Sequence, residues 1–351
     1  PSRGGWSYRW WGWGGYWAWD PVENASFLPW LTGTAFLHSA MMQERRGMLK
    51  VWNLVLVTLT FALVIFGTFL TRSGILGSVH AFSDGPVGIL FLGFLALILL
   101  FSLGWIAYRS DLLRGRGEMD SLFSRESAFL LNNVVLVGIC FTVFLGTIFP
   151  LLAEALRGTK ISVGTPYFNR VVGPLGLALL LLMGIGPLIA WGRASLDNLG
   201  RNFLKPMVGA LFAVAALFGL GVRGIEPLLA LFVSLFVVAT IASELVVATR
   251  TRARSTGETH ARAFLALLLK SRRRYGGLLV HFGVVIVAVG VTVSSFYKVE
   301  REATLRKGDT LAVGRYAVRL EDFAVSEQPT HVLVSVRLTA FKDGKPFRRE
   351  L

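Results

Sequence analysis

Residues 16–43 read YWAWDPVENASFLPWLTGTAFLHSAMMQ, and this stretch decides the fold. Asp20-Pro21-Val22-Glu23 has the form of a helix start: Asp as N-cap, Pro at the first helical position, and Glu at the third to reach back to the cap. Catalysis by the acidic pair is the alternative, but capping already accounts for both carboxylates. The cap is followed by an apolar run over 25–43, long enough to cross a bilayer. Pro29 removes one backbone hydrogen bond from that helix. Inside the run sits His38, about six residues before Gln43-Glu44, which at about 1.5 Å per residue places it roughly 9 Å inside the span's end.

Before the cap the chain is crowded with indoles. The first thirty residues hold seven of the ten tryptophans: Trp6, Trp10, Trp11, Trp13, Trp17, Trp19 and Trp30. Anchoring at a membrane interface explains one or two per helix end, not seven. Large flat rings interleaved with Gly12, Gly14 and Gly15 suit a shallow shelf on which a flat apolar macrocycle such as porphyrin stacks, because glycine lets backbone and ligand approach closely.

Beyond the first run the same apolar character recurs. The chain has 351 residues, is 54% hydrophobic and has a mean hydropathy of +0.59, too apolar for a soluble globular protein. Eight stretches have near-spanning length: roughly 25–43, 51–70, 87–107, 128–152, 173–191, 206–221, 227–248 and 276–297. The expected fold is an all-α polytopic membrane bundle of about eight spans. After it comes a small β region over 298–351, where HVLVSVRLTAFKDGKPFRREL alternates like a strand and turns at Lys342-Asp343-Gly344-Lys345. No signal peptide precedes the aromatic segment, so the chain is expected to begin in mid-protein, and the return strand is expected to stop early.

Charge sets the expected orientation. Eighteen Lys and Arg fall in one set of loops, among them Arg45, Arg46, Arg125 and the run Arg250 to Arg274, against five in the opposite short loops. By the positive-inside bias the first set faces the cytoplasm, which leaves the tryptophan segment, the loop 71–86 and the β region outside. The formal charge of +15 then reads as topology and attraction to anionic lipid, not nucleic-acid binding, since no nucleic-acid fold signature follows residue 249. The single cysteine, Cys140, lies in the fourth span and reads as a small core residue. No CxxC or CxxCH occurs, which excludes dithiol exchange and c-type haem attachment to this chain itself.

The five histidines divide by depth. His281 enters the last span by about five residues, giving about 8 Å, close to the depth of His38 although the helices run oppositely. Two imidazoles at one level can ligate one metal as the axial pair of a buried haem, or can each bond separately to backbone carbonyls. His80, in TRSGILGSVHAFSD, lies on the tryptophan side and can supply an axial bond there, or be an ordinary polar surface residue. His260 and His331 have no nameable partner. Asn132 and Asn133, near the inner end of the fourth span, suit helix packing or a quinone head.

WGGYWAWDPVENASFLPW at 13–30, with His38 beyond it, resembles the tryptophan-rich WWD signature of haem-handling membrane proteins, and the chain as a whole is similar to the CcmF family of bacterial cytochrome c maturation. TRSGILGSVHAF is similar to that family's external histidine loop, GGLLVHFGVVIVAVGV to its second membrane histidine, and SRESAFLLNN at 124–133 and TPYFN at 165–169 to further family segments. The resemblance implies three parts: a platform over 1–24, a bundle over 25–297 carrying the histidine loop 71–86, and the β region 298–351. It implies a haem platform built on Trp10, Trp11, Trp13, Tyr16, Trp17, Trp19, Asp20, Glu23 and Asn24, with His80 as an axial ligand of the haem held there. It also implies a separate haem b ligated by His38 and His281, in a redox role with quinol as donor.

The activity implied is that of a cytochrome c haem lyase of the bacterial inner membrane, holding substrate haem for thioether attachment to the CxxCH of apocytochrome c. The implied partners are a haem chaperone of the CcmE type, apocytochrome c with its thiol-reducing chaperone of the CcmH type, and membrane lipid. Two departures stand out. Tyr16 and Ala18 replace bulkier aromatics of the family, and the family's second external haem-binding histidine would precede Pro1. Three rivals are weighed against the lyase. A haem exporter or chaperone loader of the WWD group accounts less well for the pair His38 and His281. A cytochrome b-like quinol oxidoreductase makes the tryptophans merely structural. A transporter would show half-repeats or ionisable relays, and only Glu244 is acidic in a span.

Overall fold

The computed structural model describes residues 16–73, 87–113, 121, 124–159, 161–189, 196–299, 301, 303–328 and 331–349. Nine helices occur among them: α1 Pro21–Arg46, α2 Lys50–Ser73, α3 Val87–Tyr108, α4 Arg125–Arg157, α5 Thr165–Ile185, α6 Leu196–Gly219, α7 Ile225–Thr256, α8 His260–Lys270 and α9 Arg272–Tyr297. Seven of these, α2 to α7 and α9, are long and apolar enough to cross a membrane. The chain is a polytopic membrane helical bundle with a small antiparallel sheet at its C-terminal end in sequence.

Of the eight expected spans, the first is the exception in composition. At 26 residues α1 is about 39 Å long, sufficient to span. It falls short in apolarity because it is wrapped by protein. Ala25, Leu28, Thr32, Ala35, Ser39 and Met42 are all buried, at alternating steps of three and four. Small side chains on such a seam let α2 and α4 approach closely, and their hydroxyls bond across it. Thr60 Oγ donates to Thr32 Oγ at 2.8 Å, and Ser39 Oγ donates to the Asn53 side chain.

The expected cap is present in full. Asp20 accepts from the Val22 N–H at 2.9 Å, and Glu23 accepts from the Asp20 N–H at 3.3 Å. At the other end Gly47, at φ 67°, ends the helix in the left-handed region and donates to Gln43 O at 2.9 Å. Packing continues along α4. Arg46 pairs with Glu126 at 2.5 Å, Cys140 is buried beside Leu28 O, and Asn24 donates to Thr147 Oγ at 3.1 Å. These contacts set an antiparallel register in which the level of His38 on α1 is that of residues 132–134 on α4. Phe168 of α5 closes the same apolar core.

The chain divides into two compact units, residues 1–288 and 289–351. The second holds four antiparallel strands in the order β1 Thr310–Val313, β2 Tyr316–Gln328, β3 His331–Lys342 and β4 Lys345–Arg349. The expected turn forms at Asp343 and Gly344, both at positive φ as a two-residue hairpin requires. Alternation in β2 breaks after Leu320, and the structure explains the break. A bulge between Leu320 and Asp322 shifts the phase by one residue, so Val318, Leu320 and Phe323 keep to one face opposite Ala340, Leu338 and Val336.

Candidate functional site

Two sites lie at opposite ends of α1. At its N-terminal end the backbone of Trp19 adopts φ 58°, a left-handed conformation uncommon for a bulky residue. Neighbouring polar groups hold it there. Glu23 Oε2 accepts from the Ala18 N–H at 2.8 Å, and the amide of buried Asn24 donates to Trp19 O at 3.1 Å. Asp20, Glu23 and Asn24, three residues of the expected haem platform, thus shape the backbone that presents the indoles.

The indoles themselves are not equivalent. Trp19 stacks on Phe168 with ring centroids 4.8 Å apart and planes 10° apart, and its Nε1 donates to Asn169 Oδ1 at 2.8 Å. Trp17 meets Trp19 edge-on at 5.7 Å, while Tyr16 is 63% exposed. The structure therefore brings TPYFN at 165–169 against WAWD at 17–20, a contact across 150 positions that the sequence reading missed. Gly146 admits it, because a Cβ there would come within 2.7 Å of both Phe168 and Tyr167. Trp10, Trp11 and Trp13 of the platform lie outside the described residues, as does His80.

Toward the C-terminal end of α1, His38 and His281 come together as their matching depths anticipate. Their rings are nearly parallel, 7° apart, with centroids 6.4 Å apart. The Nδ1 of His38 lies 2.8 Å from Thr34 O, and since a carbonyl only accepts, Nδ1 carries the proton and Nε2 keeps a free lone pair. On α9 the buried stripe Tyr275, Leu278 and Val285 turns His281 toward the bundle, where its Nδ1 is buried with no hydrogen-bond partner. Phe129 of α4 borders the pair, 5.8 Å from the His38 ring.

The pair fits a haem better than a bare ion. Among the described residues no group of three or more His, Cys, Asp or Glu gathers, whereas a bare metal is held by about four donors. Haem iron needs two axial ligands only, because the macrocycle supplies the rest. The spacing agrees. Half of 6.4 Å is about the sum of a metal–nitrogen bond of about 2 Å and the roughly 1 Å from ring nitrogen to ring centre.

The remaining residues of interest settle as follows. Asn133 accepts from Trp52 Nε1 at 3.0 Å and donates to Phe129 O, which is helix packing; Asn132, at the level of His38, has its amide nitrogen buried without a partner. The segment SRESAFLLNN begins α4: Ser124 caps it, and Arg125 donates to Pro187 O at 2.7 Å and Ile189 O at 2.9 Å beyond α5. His260 lines a shallow recess with Arg250, Arg254 and Glu258, and the Arg252 guanidinium bonded to Glu258 holds that carboxyl below its usual range.

The fold and site together define a polytopic membrane protein whose buried helix carries an aromatic cap at one end and a matched imidazole pair toward the other. Comparison with known proteins narrows the class. A family model described as "Cytochrome C assembly protein" matches residues 5–77. The chain is 36% identical over 343 residues to the cytochrome c-type biogenesis protein CycK of Rhizobium meliloti, covering 97% of this chain and 50% of the relative. It is 38% identical over 345 residues to the cytochrome c-type biogenesis protein CcmF of Pseudomonas aeruginosa, with 97% and 50% covered. A solved structure titled "Cytochrome c Heme Lyase CcmF" superposes with a TM-score of 0.66 at 35% identity, covering 98% of this chain and 51% of that one. Along nearly its whole length the chain is similar to the CcmF-type cytochrome c-type biogenesis proteins, and it spans about half the length of the curated relatives it matches.

Proposed function

We propose that this chain serves cytochrome c maturation as the haem-handling part of a haem lyase, with a haem b held between His38 and His281 and a platform at the tryptophan end that takes substrate haem. The observation that carries the reading is the parallel imidazole pair, spaced for one metal and carried on two antiparallel helices. A bound haem b would supply one-electron chemistry there, with quinol as donor. The chain's own part is to fix that group: Thr34 O sets the tautomer of His38, and the stripe on α9 orients His281.

At the other end the task is orientation. Adding two thiols of an apocytochrome CxxCH to two vinyl groups needs all four partners in near-attack positions, and holding them so removes much of the entropic barrier. Trp19, locked on Phe168 and Asn169, is the fixed post, and Tyr16 and Trp17 are the presented edge. His80 would hold the substrate iron until the substrate's own histidine replaces it. This end faces outward across the inner membrane, by the charge bias of the loops. There it would meet a CcmE-type haem chaperone and apocytochrome c with a CcmH-type reductant.

The two ends are separable by experiment. In a maturation-deficient strain complemented with the chain, Trp17→Ala is expected to lower c-type cytochrome yield while the purified variant keeps its b-type absorption. Loss of both together would mean that Trp17 supports the fold and would sink the platform reading.

A further inference from the structure

The turn between α7 and α8 gathers basic side chains that neither site on α1 uses. Gly257, at φ 69°, stops α7 in the left-handed region, and only Glu258 and Thr259 separate it from His260, the first residue of α8. Helices packed together across so short a link run in opposite directions. Ala253 and Ala263, five residues either side of Glu258, are both buried, as a close antiparallel pair requires. From Glu244 to Gly257 α7 rises about 20 Å, and the eleven residues of α8 return about 17 Å of it. Arg274, at the start of α9, accordingly meets Glu244. The start of the hairpin on α7 and its end on α8 thus lie toward the membrane, and the turn lies away from it.

A recess of about 320 Å³ opens on this hairpin, lined by Arg250, Ala253, Arg254, Glu258 and His260. Its one carboxylate is already engaged. Both oxygens of Glu258 accept from Arg252, at 3.0 and 3.2 Å, and Lys270 lies within electrostatic reach of it as well. Arg250 and Arg254 are exposed one turn apart, and among the described residues neither guanidinium has an ion pair or a hydrogen-bond partner. Closer to the membrane the character changes on both helices. Val246 and Val247 precede Arg250 by four and three residues, Phe264 follows His260 by four, and all three are exposed. Residues so spaced share a helix face, so the basic recess stands directly above an apolar strip.

We propose that the α7–α8 hairpin binds an anionic phospholipid, its phosphate between Arg250, Arg254 and His260 and an acyl chain along Val246, Val247 and Phe264. The guanidinium fork matches phosphate geometry, and basic pockets between helices at a membrane surface take such headgroups. A zwitterionic lipid carries its own cation, which the two arginines repel. Only Ser271 separates α8 from α9, so a lipid held here braces the helix that carries His281.

Native mass spectrometry of the full chain tests this, after incubation in detergent with phosphatidylglycerol or with phosphatidylcholine of the same acyl chains. Wild type is expected to retain phosphatidylglycerol several-fold better. Arg250→Gln/Arg254→Gln should retain the two lipids alike, with an unchanged thermal melt in lipid-free detergent, and Arg250→Lys/Arg254→Lys should keep the preference. Phe264→Ser should weaken both lipids several-fold and leave their ratio as it was. Glycerol phosphate, the headgroup chemistry without acyl chains, should not displace the lipid at equal concentration. Displacement would mean a site for soluble anions and would overturn the proposal. It is overturned equally if wild type shows no preference, or if the glutamine pair keeps it, since the arginines then serve topology alone. Arg109→Gln, just beyond α3, controls for bulk charge: loss of the preference there as complete as in the glutamine pair would also sink the site.

Discussion

The two ends of α1 differ in how completely the protein satisfies its own polar groups. At the N-terminal end Asp20, Glu23, Trp19 and Asn169 are all bonded within the chain, and the aromatic rings touch one another. At the level of His38 the Asn132 amide nitrogen and His281 Nδ1 are buried with no hydrogen-bond partner, beside two parallel imidazole rings 6.4 Å apart. Buried polar atoms are ordinarily paired, and the proposed haem site is where this region departs from that rule. Among the described residues, only Asn24 Oδ1 breaks the pattern at the N-terminal end, beside an amide nitrogen that is itself doubly engaged. In the proposed reading, one end is a bonded support that carries the platform, and the other is a receptacle.

If so, substitutions in the bonded support beneath the platform should disturb fold and platform together, whereas those at the second end should spare the haem-free protein. The largest effect is expected from Gly146→Val, which drives a side chain into Phe168 and Tyr167. Overpacking of this kind costs about 1–3 kcal/mol, and a thermal melt in detergent should show it together with loss of maturation. Asn24→Leu follows, removing the bonds to Trp19 O and Thr147 and releasing the left-handed turn, at about 1–2 kcal/mol. Asp20→Ala removes the side chain that accepts from the Val22 and Glu23 N–H groups and should lower stability by about 1 kcal/mol. Smallest is Asn132→Leu. Removing an unpartnered buried donor should leave the haem-free melt within about 0.5 kcal/mol of wild type or raise it. A large loss there would mean that the second end is also a structural support, and the contrast would collapse.

Much of this was legible in the sequence because it is local or periodic. The capping box over 20–23, the run lengths of the spans and the Asp343-Gly344 turn each depend on residues a few positions apart. Matching the depths of His38 and His281 needed only the helical rise and the assumption that both runs cross the membrane. Other features are invisible to such reasoning. Trp19 meets Asn169 across 150 positions, and nothing in TPYFN announces that Phe168 will be the ring beneath an indole. The bulge after Leu320 breaks strand alternation, which in sequence looks like a weaker strand and in three dimensions restores it. The modest apolarity of α1 has the same character, since it reflects burial against α2 and α4, which a sequence window does not see.

The central claim is that His38 and His281 are the axial ligands of one haem. Axial-ligand spectra of the purified chain, recorded with a pyridine haemochrome count, test it most directly. The account predicts one b-type haem with two imidazole ligands, converted to a single-imidazole or haem-free form by His38→Ala and by His281→Ala alike. An unchanged bis-imidazole spectrum in either variant would contradict it.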